Sequence, residues 1–186
     1  MKTSKILFTC LSLGIIFLAS CKGPLEEVET ITVLQTLSYN AEDTLVDNHS
    51  RVQGAAHAGQ FGFRTDTINE YAATTIINIP DSLVNKGVRL VLNFWIKTSN
   101  PLKGDGFAAA YQDNNEMFLY TSFEAINYGA KPNEWLNIVD SITIKAADNT
   151  KPGSFFKLFA FNPNHKAQVD YDDINFTLKK VDVVLE

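Results

Sequence analysis

Arg89, Asn93, Trp95 and Lys97 fall at alternate positions of the run Val88-Arg89-Leu90-Val91-Leu92-Asn93-Phe94-Trp95-Ile96-Lys97. On an extended chain, residues two apart share a face. An indole would then stand among a guanidinium, an amide and an ammonium. That mixture suits a ligand with an apolar flat face and hydroxyls at its edge: the ring packs and the polar groups hydrogen-bond. Phe118 and Tyr120 share a face of a second run, with Glu116 and Glu124 beside them, and would widen the platform if their strand joins the same sheet. A second constellation is acidic. Asp170 and Asp172 lie on one face about 7 Å apart, and Asp173 follows. The apolar positions move there from Val169 and Tyr171 to Ile174, Phe176 and Leu178. That switch of face predicts a β-bulge near Asp172-Asp173.

Catalytic patterns are missing. The chain has no Gly-x-Ser-x-Gly, His-Glu-x-x-His or phosphate loop. Its three histidines, His49, His57 and His165, are scattered, whereas a zinc site needs three or four converging ligands. A glycosidase needs two carboxylates roughly 5–9.5 Å apart. Glu116 and Glu124 would be about 27 Å apart along a strand. Asp170 and Asp172 match the distance, but no other residue supports them. The expectation is a protein that is not an enzyme.

The elements that must position these residues read as strands throughout. Short β-rich runs alternate with turn residues at intervals of about 8–14 residues: 31–39, 60–65, 71–79, 88–98, 107–112, 116–126, 135–144, 155–162 and 168–178, with 181–185 extending the last strand or adding another. Val88, Leu90, Leu92, Phe94 and Ile96 alternate strictly, as one buried face requires. The predicted fold is an all-β antiparallel sandwich of about nine or ten strands; a jelly roll and an immunoglobulin-like sandwich both fit the pattern.

The first twenty residues have the parts of a secretory signal. Lys2 and Lys5 precede an apolar run from Ile6 to Phe17 that Lys22-Gly23-Pro24 ends at once. Leu18-Ala19-Ser20-Cys21 resembles the bacterial lipobox. The resemblance implies cleavage before Cys21, covalent lipid (palmitate-type acyl chains) on its sulfur and a membrane as partner. It divides the chain into a signal at 1–20, a lipidated tether at 21–30 and a β-sandwich domain at 31–186. Lys22 is not the aspartate that marks inner-membrane retention in enteric bacteria, which favours the outer membrane of the cell envelope. Cys10 would leave with the signal, so Cys21 would be the only cysteine of the mature chain and no internal disulfide could form. The net charge is −5; losing Lys2 and Lys5 makes it −7. Nucleic-acid binders show basic patches, so no nucleic-acid partner is expected.

Three features in order resemble the galactose-binding-domain-like jelly rolls, which include many carbohydrate-binding modules. They are the long strand at 88–97, the Trp-led strand Glu134-Trp135-Leu136-Asn137-Ile138-Val139, and the closing strand Val169-Asp170-Tyr171-Asp172-Asp173-Ile174-Asn175-Phe176. The resemblance spans roughly 59–178. It implies a non-catalytic lipoprotein that binds a glycan, with Trp95, Arg89, Asn93, Lys97, Tyr120 and Phe118 as contacts. It also implies a structural calcium at Asp172 and Asp173 with Glu42 of an early loop. Calcium takes six to eight oxygens; the other reading of these acids is a solvated edge that deters strand pairing. The alternative function is a structural or protein-interaction lipoprotein of the envelope, in which Trp95 is covered.

Overall fold

A computed structural model describes residues 27–43, 50–148 and 150–185. The signal and Cys21 lie outside the described residues. Among the described residues ten strands form: β1 (Glu27–Tyr39), β2 (Arg51–Gln53), β3 (Phe61–Thr65), β4 (Tyr71–Asn78), β5 (Gly87–Thr98), β6 (Gly106–Gln112), β7 (Met117–Glu124), β8 (Trp135–Ile144), β9 (Phe155–Phe161) and β10 (Val169–Leu185). All pair antiparallel, in two sheets. One holds six strands in the order β2-β3-β10-β5-β8, with β1 also on β10; the other holds β4-β9-β6-β7. The fold is an antiparallel jelly-roll β-sandwich. The tail at 181–185 extends β10, and β1 begins at Glu27, inside the span read as tether.

Strand β5 shows why these residues make this fold. Val88, Leu90, Leu92, Phe94 and Ile96 are all buried while Arg89, Val91, Asn93, Trp95 and Lys97 are partly or fully exposed. Each contributes roughly 1.5–3 kcal/mol on full burial. They meet the second sheet through Phe94 on Phe107 at 5.1 Å, and Phe107 also touches Phe176 at 5.7 Å. In β10 the register slips between Asp172 and Asn175, with Asp173 at φ 49°. Val169 and Tyr171 are buried before that bulge, and Ile174, Phe176 and Leu178 after it. One extra residue keeps both halves of the strand facing the core. It also divides β10's free side: β3 pairs with residues 169–171 and β1 with 174–185.

Candidate functional site

On the outer face of the six-stranded sheet, the predicted contacts have partners inside the molecule. The His57 ring stacks on Trp95, 3.8 Å between centroids and 10° from parallel, and meets Trp135 edge-on at 5.5 Å. His57 comes from the loop between β2 and β3, which acids hold in place. Asp172 Oδ2 accepts the N–H groups of His57 at 2.8 Å and Ala58 at 3.0 Å. Glu42 Oε1 accepts those of Gln60 at 2.6 Å and Phe61 at 2.7 Å. Asp173 Oδ2 bonds His57 Nδ1 at 2.9 Å. The Phe61 and Gln60 amides hold Glu42 below the usual carboxylate range. Burial raises Asp172, and the amides oppose that rise. Arg89 bonds Thr143 and Glu29, and Asn93 accepts a bond from Asn137. The Lys97 ammonium lies 3.2 Å from Asp170 and 4.7 Å from the Trp135 ring centre. Asp170 also takes Arg64 at 2.6 and 3.1 Å.

Glu42, Asp172 and Asp173 do not converge as a ligand set. Among the described residues no group of three or more His, Cys, Asp or Glu side chains is placed to hold a metal ion. What Glu42 and Asp172 do in this structure is anchor the loop that covers Trp95.

Phe118 and Tyr120 are on the other sheet. Their strand β7 pairs with β6, and β6 with β9, so neither widens a platform at Trp95. Phe118 sits by the register shift at Tyr111/Gln112, packed on Tyr111 at 5.2 Å with the Lys151 ammonium 3.9 Å above its ring. Tyr120 instead belongs to the outer face of the four-stranded sheet.

That face carries an aromatic surface, and its rows follow from the pairing. Tyr71, Phe161, Gly106 and Glu124 form one row across the sheet. Phe159, Ala108 and Ser122 form the next. Ile76, Lys157, Ala110 and Tyr120 form the third. Strand β6 thus offers only Gly106, Ala108 and Ala110 along its outward side. Both alanines are buried, at 0% and 3% exposure, although they point away from the core. The flanking rings cover them: Tyr120 and Phe159, from the strands on either side, are 6.5 Å apart. Phe159 continues to Tyr71 at 5.6 Å and Phe161 at 6.2 Å, and Tyr71 stacks on Phe161 at 5.2 Å. Four rings are in continuous contact, yet Tyr71 and Tyr120 keep 49% and 42% exposure.

Beside them, Tyr71, Thr74, Lys157 and Phe159 line an open depression of ≈ 260 Å³. A bulge in β4, with Ala73 at φ 48°, sets one wall and leaves Thr74 outside. Burial and then the neighbouring Glu70 raise the Tyr71 phenol, while burial and Glu124 raise Tyr120. Both hydroxyls stay protonated at neutral pH and can donate hydrogen bonds.

Of the predicted contacts, Tyr120 alone lies on this surface. Tyr71, Phe159, Phe161, Thr74 and Lys157 were not anticipated. The available signal was the alternation Phe155, Lys157, Phe159, Phe161 against Phe156, Leu158, Ala160. It reads as a strand apolar on both faces, and a second face of rings needs a covering layer or a ligand.

No protein-family model matches the chain, and no curated protein matches it. Solved structures do. The carbohydrate-binding module TmCBM61 in complex with β-1,4-galactotriose is 17% identical, with 81% of this chain and 86% of that one covered at a TM-score of 0.38. The CBM22-1 xylan-binding domain of Paenibacillus barcinonensis Xyn10C is 12% identical, with 80% and 85% covered at 0.38. A Stig cyclase of Fischerella sp. is 13% identical, with 86% and 92% covered, also at 0.38.

Proposed function

We propose that this chain is a membrane-anchored, non-catalytic lipoprotein whose sandwich holds a carbohydrate against the outer face of the β4-β9-β6-β7 sheet. The observation that carries this reading is the continuous surface of Tyr71, Phe159, Phe161 and Tyr120 over an alanine floor. Rings in that arrangement stack against the C–H face of a pyranose. Thr74, Lys157, Ser122 and the two phenols stand around them to bond its hydroxyls. A contiguous aromatic patch exposed to water marks a binding surface. Trp95, the stronger candidate by residue type, already has a ring stacked on it.

A glycan array probed with the full-length protein in detergent tests the reading. Tyr120→Ala or Phe159→Ala removes a ring worth about 1–2 kcal/mol of contact, and so about 5–30-fold in affinity. The reading fails if the protein binds no glycan, or if both variants bind like the parent while Trp95→Ala does not. The anchor rests on Lys2, Lys5, the apolar run and Leu18-Ala19-Ser20-Cys21. Cys21→Ser is expected to abolish palmitate labelling and release the protein from the outer-membrane fraction.

A protein-interaction role is favoured by a different observation. Edge strand β1 exposes Val28, Ile31, Val33 and Leu34 and among the described residues pairs with β10 alone. Photocrosslinks from β1 to one envelope protein, with no glycan bound, would select it.

A further inference from the structure

The aromatic face is not electrically neutral where a ligand would rest. Lys157 stands on it between Ile76 of β4 and Ala110 of β6. Its side chain lines the depression with Tyr71, Thr74 and Phe159, and its ammonium is 5.9 Å from the Phe159 ring centre. It forms no ion pair among the described residues, unlike Lys97, Lys131, Lys151 and Lys180. The acids of the neighbourhood are engaged or distant. Glu70 contacts Tyr71 and faces His165 at 3.7 Å. Glu116 faces Lys151 at 3.9 Å. Glu124 bonds Ser122 and belongs to the Gly106 row, four residues along β6 from the Ala110 row that holds Lys157. The Glu124 carboxylate acts on the Tyr120 phenol, but it forms no ion pair with Lys157.

A ligand that settles on the rings would take water from the Lys157 ammonium. Covering a charge is costly unless the ligand returns an opposite charge or several acceptors. A neutral sugar returns hydroxyls. A uronic acid carries a carboxylate at the edge of the pyranose, so stacking the ring on Tyr71 or Phe159 brings the anion toward the depression. We propose that the preferred ligand is a glycan bearing uronic acid residues, and that Lys157 is the specificity-determining residue. The inference rests on the carbohydrate reading of this face. It also accommodates the chain's net charge of −5: repulsion of an acidic polymer by the molecule as a whole is screened by salt, while contact at Lys157 is local.

The test uses full-length protein in detergent and matched probes: galactose oligomers, galacturonate oligomers, and sulfated galactose oligomers of equal length. The expected result is at least a tenfold preference for galacturonate over galactose, which collapses to near one in Lys157→Gln and persists in Lys157→Arg. Raising the salt should shrink the preference in the parent. Equal affinity for galactose and galacturonate, with both lost in Tyr120→Ala, would overturn the uronate inference and leave the sheet-face reading standing. So would a preference unmoved by Lys157→Gln. Sulfated galactose bound as tightly as galacturonate would replace uronate by anionic sugars in general and overturn the proposed class. Binding of none of the three overturns both readings.

Discussion

Substituting Asp105 by Asn should stabilise the protein at neutral pH and leave it almost unchanged near pH 4. Asp105 sits just before β6 and is fully buried. One of its oxygens accepts the Leu102 N–H at 3.3 Å, and Oδ1 has no partner. Asn162 occupies the matching position after β9, since Gly106 pairs with Phe161, and its Oδ1 is also unpartnered, as is Thr65 Oγ1. Asp105 Oδ1 and Asn162 Oδ1 are thus two buried acceptors without a donor at this end of the sandwich. A proton on Asp105 supplies a donor and removes the buried charge. Burial accordingly pushes its carboxyl from 3.8 up to about 6.

The folded chain then keeps the Asp105 proton up to about pH 6, whereas the unfolded chain releases it near 3.8. Between those values the folded state binds more protons, so its stability falls as pH rises and levels off above about 6. The shift from 3.8 to about 6 is roughly two units, which at 1.36 kcal/mol each amounts to about 3 kcal/mol. Asn keeps the acceptor for Leu102 and carries no titrating charge. For a domain of this size, about 3 kcal/mol corresponds to roughly 6–12 °C in Tm. Melting followed by circular dichroism at half-unit steps from pH 4 to 8 reads the difference between the two proteins. It should open as pH climbs from about 4 to 6 and stay constant beyond. Glu42 and Asp113, held low by backbone amides, lose stability on acidification. Both are present in each protein and cancel in the difference. A difference that is flat across this range, or that narrows as pH rises, refutes the argument.

Asp170→Ala should cost about 3 kcal/mol, because it strands Arg64 and Lys97 around a buried position; urea midpoints measure it, and a loss below about 1 kcal/mol would contradict the assignment. His57→Ala should raise acrylamide quenching of tryptophan fluorescence, since it uncovers Trp95, while Tm falls by only a few degrees for a stacking loss of about 0.5–1.5 kcal/mol. Unchanged quenching would mean that the loop does not cover the indole in solution. Gly106→Ala should destabilise by about 2–3 kcal/mol, because the new Cβ would lie 2.2 Å from the Phe123 carbonyl oxygen. Gly129→Ala meets nothing within 4 Å and should cost only about 1 kcal/mol, for its positive φ.

Local periodicity made the strands legible, and long-range pairing hid the site. The alternation of Val88 to Ile96 shows which side of β5 is buried, and the switch from Tyr171 to Ile174 places the bulge at Asp172-Asp173. Both are properties of neighbours in sequence. Whether Tyr120 shares a sheet with Trp95 depends on β7 pairing with β6 rather than on its own residues. The cover on Trp95 comes from His57, 38 positions away in a loop with no strand pattern. Ala108-Ala109-Ala110 shows no alternation, so its outward side could not be recognised as a floor for rings.

The two outer faces then differ in what remains unsatisfied. On the six-stranded sheet, Asp170 answers Arg64 and Lys97, Asp172 answers two amides, and His57 answers both Trp95 and Asp173. A ligand there would have to break bonds before making any, which leaves little net gain per contact. On the four-stranded sheet the rings touch each other and keep exposed faces, so a ligand can cover them without breaking a ring stack to another layer. Loop tethering by Asp172 and Glu42 therefore belongs to stability, and free ring area to the proposed binding. A substitution in the first set should move Tm and spare affinity; one in the second should move affinity, with only the few degrees of Tm that its lost ring contacts cost. Measuring both quantities for Asp172→Asn and Phe159→Ala tests that separation directly, and an Asp172→Asn protein that lost affinity would place the two faces in one cooperative unit.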